Sequence, residues 1–336
     1  MPNDHVYIIA EVGQAHDGSL GILHSYIDAI AQTGVDAIKF QTHIAEAESS
    51  EYEPFRVNFS YEDKTRFDYW KRVSFDRGQW LEIKQHCNQV GLDFISSPFS
   101  IAAVELLEGI GIDKYKIGSG EVSNMLMLEL IAETKKPVIL SSGMSSYAEL
   151  DAAVDLFNLD DGLLTLLQCT TKYPSGPEDV GLNVIQEMRQ RYGIPVGLSD
   201  HSGTIYPSLA AAAQGANALE AHVVFDKRMF GPDSASSLTV DEFKMLSDGV
   251  RSIEKMHSSP VDKNDNQQFA GLKKIFEKSL AINCDLDAGE EVKRYHLEAK
   301  KPAEKGIPAS EFSKVLGKRL IASKKQWDFI NWSDFE

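Results

Sequence analysis

The chain has 336 residues, of which 43% are hydrophobic and 25% are charged, and its formal net charge at pH 7 is −16. This composition is typical of a globular protein, and the acidic balance argues against a nucleic-acid-binding protein, which normally carries a basic stripe. No apolar run is long enough to span a bilayer and no signal-peptide pattern opens the chain, so we expect a cytoplasmic protein without a membrane partner.

Apolar runs alternate with helical segments through about the first 250 residues, which is the length of a TIM (β/α)8 barrel. The predicted strands lie at residues 6–11, 35–42, 92–97, 114–118, 137–142, 163–168, 196–198 and 218–220. A doubly wound open sheet is the alternative fold. It is disfavoured because it usually needs fewer strands and because no GxGxxG turn follows the first strand. The sequence therefore predicts an α/β barrel.

Two helices of the barrel carry a clear start signal. Ser146 with Glu149, and Thr239 with Glu242, have the spacing of capping boxes. Residues 43–76 interrupt the alternation with an insertion that is rich in Glu, Tyr, Phe and Arg and has no clear periodicity. The insertion is longer than an ordinary loop between a strand and a helix.

The character of the sequence changes after residue 256. Residues 257–277 are predicted to be a linker because they include a polar stretch without useful periodicity. Residues 278–336 contain short apolar runs separated by Asp, Gly and Pro turns. We expect a barrel over residues 1–256 and a small, mostly β domain over residues 278–336. A domain of about sixty residues has a marginal core, so it should pack on its own barrel or on a partner chain.

Polar residues lie towards the ends of the predicted strands or just beyond them, at equivalent positions, where the active site of a TIM barrel lies. They are Glu11, Lys39, Gln41, Ser97, Lys116, Ser119, Ser141, Thr171, Ser199, His201, Glu220 and His222. A single serine there often only caps a loop, but core packing does not explain so many polar residues. His16, just past the first strand, either takes part in proton transfer or is a turn residue bound to backbone.

Two histidines follow the last two barrel strands, and parallel neighbouring strands would bring His201 and His222 to the same mouth. Each alone could simply satisfy a local hydrogen bond. Together they can hold a divalent metal with coordination positions open for a substrate.

Two lysines, Lys39 and Lys116, leave apolar strands among several hydroxyl groups, which suits a phosphate. A lysine that forms a Schiff base is the alternative. Because Schiff-base chemistry needs no metal, the histidine pair favours a phosphate site with a metal.

Eight stretches of the chain resemble, in order, the motifs of the sialic acid synthase family. They are IIAEVGQAHDGS, DAIKFQT, FISSPFS, YKIGSGEVSN, PVILSSGM, QCTTKYP, VGLSDHSGTIYPSLAAAAQGA and LEAHVVFDKRMFGPDSASSL. The C-terminal segment resembles the antifreeze-like (SAF) domain of that family. The resemblance implies an enzyme that condenses phosphoenolpyruvate with an N-acetylated amino sugar, such as N-acetylmannosamine, to give a nonulosonic acid and phosphate. Legionaminate or pseudaminate synthesis from a 2,4-diacetamido-trideoxyhexose is the alternative.

The resemblance also implies roles for single residues. His201 and His222 match the ligands of a divalent metal, typically Mn²⁺, with Mg²⁺ or Co²⁺ as alternatives. Positions that hold phosphoenolpyruvate match Lys39, Gln41, Ser97, Lys116, Ser119 and Ser141. Acidic residues that orient the sugar or transfer protons match Glu11, Glu121 and Glu220, and positions near the sugar match Tyr173 and Asp233.

Four positions depart from the family pattern. Ala15 and Thr171 stand where Asn is common, and Ala221 replaces a lysine. An Arg-Pro pair, thought to reach the partner's sugar site, is Lys301-Pro302, which keeps the charge but loses the bidentate fork. In the family the C-terminal domain packs on the other chain's barrel, so the resemblance implies a domain-swapped homodimer.

Two readings outside this reaction class remain open from the sequence. One is a Schiff-base aldolase or lyase, which would be insensitive to chelators. The other is a carbohydrate-binding or ice-binding protein, suggested by the C-terminal domain alone. The lysine pair and the histidine pair argue against a pure binding module.

Overall fold

The computed structural model describes residues 5–57 and 59–336, and the chain divides into two compact units, Met1–Ser259 and Pro260–Glu336. In the first unit, eight parallel strands pair in chain order and close into a barrel, because β1 pairs with both β2 and β8. The strands are β1 Tyr7–Glu11, β2 Ala37–Thr42, β3 Asp93–Pro98, β4 Tyr115–Ile117, β5 Val138–Ser141, β6 Leu164–Cys169, β7 Val196–Asp200 and β8 Ala218–Val224. The predicted TIM barrel is confirmed.

Helices lie between the strands along the chain and after the last strand. In chain order they are α1 Leu20–Ala31, α2 Ala45–Glu48, α3 Arg66–Val73, α4 Arg77–Val90, α5 Ile101–Gly109, α6 Met125–Glu133, α7 Tyr147–Val154, α8 Leu182–Tyr192, α9 Tyr206–Ala213 and α10 Val240–His257. Both predicted capping boxes are present, at Ser146 with Glu149 and at Thr239 with Glu242. A short strand, β9 Leu238–Thr239, pairs with the end of β8 and leads into α10.

The interior of the barrel is layered. Its lower layer is apolar and consists of Ile9, Ala37, Ile95, Ile139, Leu167 and Ala218. Side chains on one face of a strand recur every second residue. The next inward positions on these strands are therefore Glu11, Lys39, Ser97, Ser141, Cys169 and Glu220. The alternation thus places a polar layer directly above an apolar layer.

The insertion after β2 differs from the sequence-based prediction because it contains two helices, α2 and α3. Its aromatic residues form a satellite core in which Tyr69, Trp70 and Val73 are buried with Ala45. The helix α3 begins at Thr65, whose side chain forms a capping box with Asp68. Aromatic packing rather than helical periodicity organises this segment.

The second unit has a small core of its own, built from Leu280, Ile282, Leu286, Val292, Ile307, Val315, Leu320 and Ile330. Two strands, β10 Ser279–Ile282 and β11 Leu297–Lys300, form an antiparallel pair. The unit also contains isolated bridges and short 3₁₀ turns. The second unit therefore has less regular strand than the mostly β domain expected from the sequence. The stretch expected to be a linker also contains a helix, α11 Ala270–Phe276, which groups with this unit.

Over the described residues, no helix combines the length and the hydrophobicity needed to cross a membrane.

Candidate active site

A cavity of about 460 Å³ opens at the carboxyl ends of the barrel strands. Every residue predicted for the site lines it except Lys301. These residues are Glu11, Lys39, Gln41, Ser97, Lys116, Ser119, Glu121, Ser141, Thr171, Tyr173, Ser199, His201, Glu220, His222 and Asp233. Lys301 belongs to the second unit, where its amine lies 4.9 Å from the centre of the Phe276 ring.

Four charged side chains form the floor of the cavity, and none is more than 3% exposed. Lys39 pairs with Glu11 and also lies 3.6 Å from Oε1 of Glu220. Lys116 lies 3.4 Å from the same oxygen of Glu220. Because water is excluded, these opposite charges interact more strongly than they would at a surface.

The environment moves the pKa values of the two lysines in opposite directions. Burial disfavours both ammonium groups, but the carboxylates of Glu11 and Glu220 outweigh burial at Lys39 and raise its pKa. At Lys116 burial prevails over Glu220, the charge of Lys39 adds to it, and the pKa is lowered. Lys116 is therefore the amine that gains most from a new negative charge in the cavity.

Glu11 is held as a carboxylate. Burial opposes ionisation, but His222, Lys39 and Lys116 together lower its pKa below the usual range. The amide of Gln41 donates a hydrogen bond to Oε1 of Glu11 at 2.7 Å, and Nε2 of His222 lies 3.4 Å from Oε2. Glu11 therefore accepts from several neighbours.

Hydroxyl groups surround the lysines. Lys116 donates to Oγ of Ser141 at 2.7 Å, and Ser199 donates to Glu220 at 3.1 Å. The buried hydroxyl of Ser97 and the Oε2 atom of Glu220 have no hydrogen-bond partner within residues 5–57 and 59–336. Because buried polar atoms are normally hydrogen-bonded, these two atoms indicate where a polar ligand would bind.

The two histidines lie side by side at the cavity wall, with ring centres 5.5 Å apart and Tyr173 4.2 Å from His201. Nδ1 of His201 lies 3.3 Å from the carbonyl oxygen of Thr170. A carbonyl only accepts, so this contact places the proton on Nδ1 and leaves Nε2 with a free lone pair. His222 is 5% exposed and His201 is 4% exposed.

Two residues with open roles in the sequence have defined surroundings. His16 is buried, accepts a hydrogen bond from the Gly18 amide at 3.0 Å and packs on Phe75. These contacts favour the turn reading of His16. Cys169 lines the cavity 3.9 Å from Nδ1 of His201, and although burial opposes it, His201 lowers the pKa of the thiol.

Glu121 lies at the end of a 3₁₀ turn, Ser119–Glu121, that follows β4. Burial is the main reason why its pKa is raised, and the charge of Glu48 adds to this while a hydrogen bond from Asn124 opposes it. A carboxyl with a raised pKa at a cavity wall is suited to proton transfer.

One wall of the cavity was missed from the sequence. It comes from the insertion and from the loop after β3, and its members include His43, Glu48, Glu53, Phe55, Arg56, Arg66, Trp70 and Phe99. Arg56 donates to Asp233 at 2.5 Å and lies 4.1 Å from the centre of the Tyr173 ring. The unusual aromatic and charged content of the insertion was the signal that could have pointed to it.

A scan against protein-family models matches residues 26–262 to the NeuB family. The chain belongs to the NeuB family. The sialic acid synthase family suggested by the sequence motifs is thereby confirmed, and an enzyme of the nonulosonic acid synthase kind follows.

The chain is similar to synthases that are named for different acids. The N,N'-diacetyllegionaminic acid synthase of Campylobacter jejuni is 32% identical over 96% of this chain and 98% of its own. The pseudaminic acid synthase of the same organism is 31% identical over 98% of this chain and 97% of its own. A solved structure, the N-acetylneuraminic acid synthetase of Leptospira borgpetersenii in complex with citrate, is 30% identical. It covers 80% of this chain and 91% of its own with a TM-score of 0.71.

Proposed function

We propose that this enzyme condenses phosphoenolpyruvate with an open-chain N-acetylated amino sugar to give a nonulosonic acid and inorganic phosphate. C3 of phosphoenolpyruvate forms a bond to the aldehyde carbon of the sugar, and the aldehyde oxygen takes up a proton and becomes a hydroxyl group. Water adds at C2, and the bond between C2 and the phosphate oxygen breaks. Family membership supports a carbon–carbon bond-forming transferase of this type.

The observation that carries the proposal is the buried lysine pair beside an unpartnered hydroxyl. Phosphoenolpyruvate is a small, highly charged anion, and Lys39, Lys116, Ser141 and Ser97 offer it charge and donors in a nearly dry site. Gln41 and Ser119 also line the cavity, and we assign them to the same substrate. An incoming phosphate would compensate the charge of Lys116, whose ammonium form is otherwise disfavoured by burial.

We place the sugar at the outer part of the cavity, where Thr171, Tyr173, Glu121 and Asp233 lie with Arg56. These groups can bind hydroxyl and amide groups of the sugar. N-acetylmannosamine is the first candidate substrate, and a 2,4-diacetamido-trideoxyhexose is the alternative that the legionaminic and pseudaminic acid synthases suggest.

His201 and His222 fit a divalent metal, for which Mn²⁺ is the first candidate and Mg²⁺ or Co²⁺ are alternatives. Their rings lie side by side with centres 5.5 Å apart, so both imidazoles could hold the same ion. Within residues 5–57 and 59–336, no group of three His, Cys, Asp or Glu side chains could hold a metal, so substrate or water would complete the coordination. When bound, the metal would polarise the sugar aldehyde.

The carboxylates would handle protons and water. Glu220 lies beside both lysines at the floor, and Glu11 lies beside Lys39. One oxygen of Glu220 has no partner among the described residues and can accept from a ligand or water. Glu121, with its raised pKa, can give a proton to the oxygen that forms at the former aldehyde. Ser199 holds Glu220 in position through its hydrogen bond.

We further propose that the second unit is an antiparallel β domain of the antifreeze-like (SAF) type, and that the protein is a domain-swapped homodimer. The core of the second unit contains eight buried apolar residues, which is a small core for a domain that is stable alone. In this arrangement Lys301 would contact the sugar in the barrel of the partner chain.

The test is phosphate release from phosphoenolpyruvate with N-acetylmannosamine and Mn²⁺, with and without EDTA, followed by mass spectrometry of the product. Chelator-sensitive release with a nine-carbon product supports the proposal. Release only with a diacetamido sugar keeps the mechanism and changes the substrate. The absence of phosphate release with every amino sugar contradicts the proposal.

A Schiff-base mechanism is the second candidate, because the lowered pKa of Lys116 is also what an amine nucleophile needs. Borohydride would then trap a carbonyl substrate on Lys116, and turnover would survive EDTA. Failure to trap, with activity lost in EDTA, excludes this candidate.

A further inference from the structure

His43 occupies an unusual place in the cavity wall. Its ring lies between Trp70 and Phe99, with ring centres 3.8 Å and 4.4 Å away and planes inclined by only 14° and 12°. The residue is 5% exposed, and its carbonyl oxygen accepts a hydrogen bond from the Ser74 hydroxyl at 3.1 Å. The imidazole is thus held flat and has little room to rotate.

Both ring nitrogens of His43 face oxygen atoms. Nδ1 lies 2.5 Å from Oε1 of Glu48, and Nε2 lies 3.2 Å from Oε1 of Gln41. The other oxygen of Glu48 accepts a hydrogen bond from the Ile44 amide at 3.3 Å, and the Glu48 side chain is only 6% exposed. Glu48 is therefore a buried acceptor for the imidazole.

Gln41 connects His43 to the floor of the cavity. Its amide nitrogen donates to Glu11 at 2.7 Å, and its amide oxygen lies 3.2 Å from the side-chain nitrogen of Gln14. Because the carboxylate of Glu11 can only accept, the nitrogen of the Gln41 amide must face Glu11 and its oxygen must face His43.

These contacts determine the protons on His43. With Glu48 ionised, the Gln41 oxygen and the Glu48 carboxylate both accept, so each ring nitrogen donates. The imidazole is then a cation stacked between two aromatic faces, an arrangement that attraction between a cation and aromatic rings stabilises.

We propose that His43 is a positioning residue, which acts through Gln41 and not on the substrate. As a cation clamped by Glu48, Trp70 and Phe99, it fixes the Gln41 amide in the orientation that donates to Glu11. Without this donor the amide can turn over and place its oxygen against the Glu11 carboxylate. The insertion would thereby control the ion cluster at the cavity floor. The kinetic part of this proposal rests on the proposed function, whereas the protonation of His43 does not.

The protonation of His43 is tested by NMR of the full chain labelled with ¹⁵N-histidine, in metal-free buffer at neutral pH. His43→Phe identifies the resonances by their loss and keeps an aromatic ring in the stack. We expect both nitrogens of His43 to carry protons, and Glu48→Gln to convert the ring to a neutral form protonated on Nε2. A neutral His43 in the wild type, or a bare Nε2, overturns the proposal.

The action through Gln41 is tested by a double-mutant cycle with His43→Phe and Gln41→Leu. We expect each single variant to lower kcat/KM for phosphoenolpyruvate by about tenfold or more, and the double variant to be no worse than Gln41→Leu alone. Losses that multiply would show that His43 acts separately and would overturn the proposal. Tyr52→Phe, at a 93% exposed aromatic in the same insertion, is the control and should match the wild type.

Failure of the proposed function would be visible separately. If the wild-type enzyme releases no phosphate with any amino sugar, the proposed reaction is wrong, yet the NMR experiment still decides the state of His43. If the wild type is active and the losses of the two single variants multiply in the double variant, the proposed reaction is supported and the positioning role of His43 is contradicted.

Discussion

Two lysines and two glutamates share the floor of the cavity almost without contact to water. Burying such charges is costly unless each one has a partner. Lys39 lies between both carboxylates, whereas Lys116 has Glu220 and a serine hydroxyl. This imbalance leaves Lys116 as the group that a phosphate would satisfy.

Replacing Lys116 with Met should remove that attraction while keeping the length of the side chain. We expect kcat/KM for phosphoenolpyruvate to fall at least about a hundredfold, because a buried charge-assisted contact is worth several kcal/mol. Steady-state kinetics measures this, and circular dichroism checks the fold. Lys255→Met, at an exposed lysine of α10, is the matched control. An unchanged KM and kcat would remove Lys116 from the phosphate site.

Replacing either His201 or His222 with Ala should abolish metal binding and turnover together. Each ring supplies one of only two proposed protein ligands, so losing one leaves too weak a site. Metal content after dialysis against Mn²⁺, determined by elemental analysis, is the measurement. His257→Ala at an exposed position is the control. Full activity without bound metal would contradict the metal proposal.

His16 should make the protein less stable in acid. Burial, with a smaller contribution from His43, lowers its pKa to about 3 from an ordinary value of 6.5. The unfolded chain therefore gains a proton on His16 as the pH falls below 6.5, while the folded protein does not until about pH 3. The stability that the neutral ring contributes is present above pH 6.5 and is lost across this window.

We expect this loss to reach about 2 kcal/mol of unfolding free energy at pH 5 relative to neutral pH. His16→Asn keeps an acceptor for the Gly18 amide and removes the titration. Urea unfolding of both proteins between pH 5 and 7.5 gives the difference. Parallel pH profiles for the two proteins would disprove the contribution of His16.

At this scale the sequence predicted the cavity floor well and the wall poorly. Glu11, Lys39 and Glu220 lie in strands that the sequence shows as apolar runs, so the barrel fold alone brings them together. His43 and Arg56 reach the cavity through aromatic packing of the insertion, which depends on contacts distant in the sequence and leaves no periodic pattern.

At the scale of elements, the junction of β7 with β8 is unusually tight. A Cβ atom added at Gly197 would overlap the backbone carbonyl oxygen of Ala218 and would lie 2.8 Å from Cδ2 of Leu167. Neither neighbour is free to move, because one is backbone and the other belongs to the buried interior of the barrel. This glycine allows the strands that carry His201 and His222 to approach.

Gly197→Ala should therefore destabilise the barrel by at least about 3 kcal/mol, at the upper end of the usual cost of overpacking. Gly21→Ala is the matched control, because Gly21 lies in α1 with open space around its Cα and alanine favours a helix by about 0.5–1 kcal/mol. Thermal unfolding should move in opposite directions for the two variants. Equal melting temperatures would contradict the close packing at Gly197.

At the scale of the whole molecule, the two units have separate hydrophobic cores. The barrel core is large and contains residues from every barrel strand, and it does not include the apolar layer inside the barrel. The second core has eight buried members. From the sequence we expected two domains, because periodicity ends near residue 256. The sequence did not reveal helix α11, since a seven-residue helix is too short for a reliable pattern.

Removing residues 260–336 should leave a folded barrel without turnover, if the second unit completes the site of a partner chain. The truncated protein should keep its circular dichroism and a cooperative melt but release no phosphate. Mixing it with full-length His222→Ala should restore activity, because the intact barrel of one chain would receive the second unit of the other. Full activity of the truncated protein alone would contradict the domain-swapped dimer.

The closure of the barrel has a consequence for how the protein is made. Tyr7 is paired with Ala218, so the first strand cannot complete its hydrogen bonds until the eighth has been synthesised. At a translation rate of about 5–20 residues per second, the delay is roughly 10 to 40 seconds. Throughout that time the nascent chain carries an open, strongly apolar strand edge, which invites pairing with other chains. Pairing of β1 with another chain therefore competes with correct folding until β8 emerges.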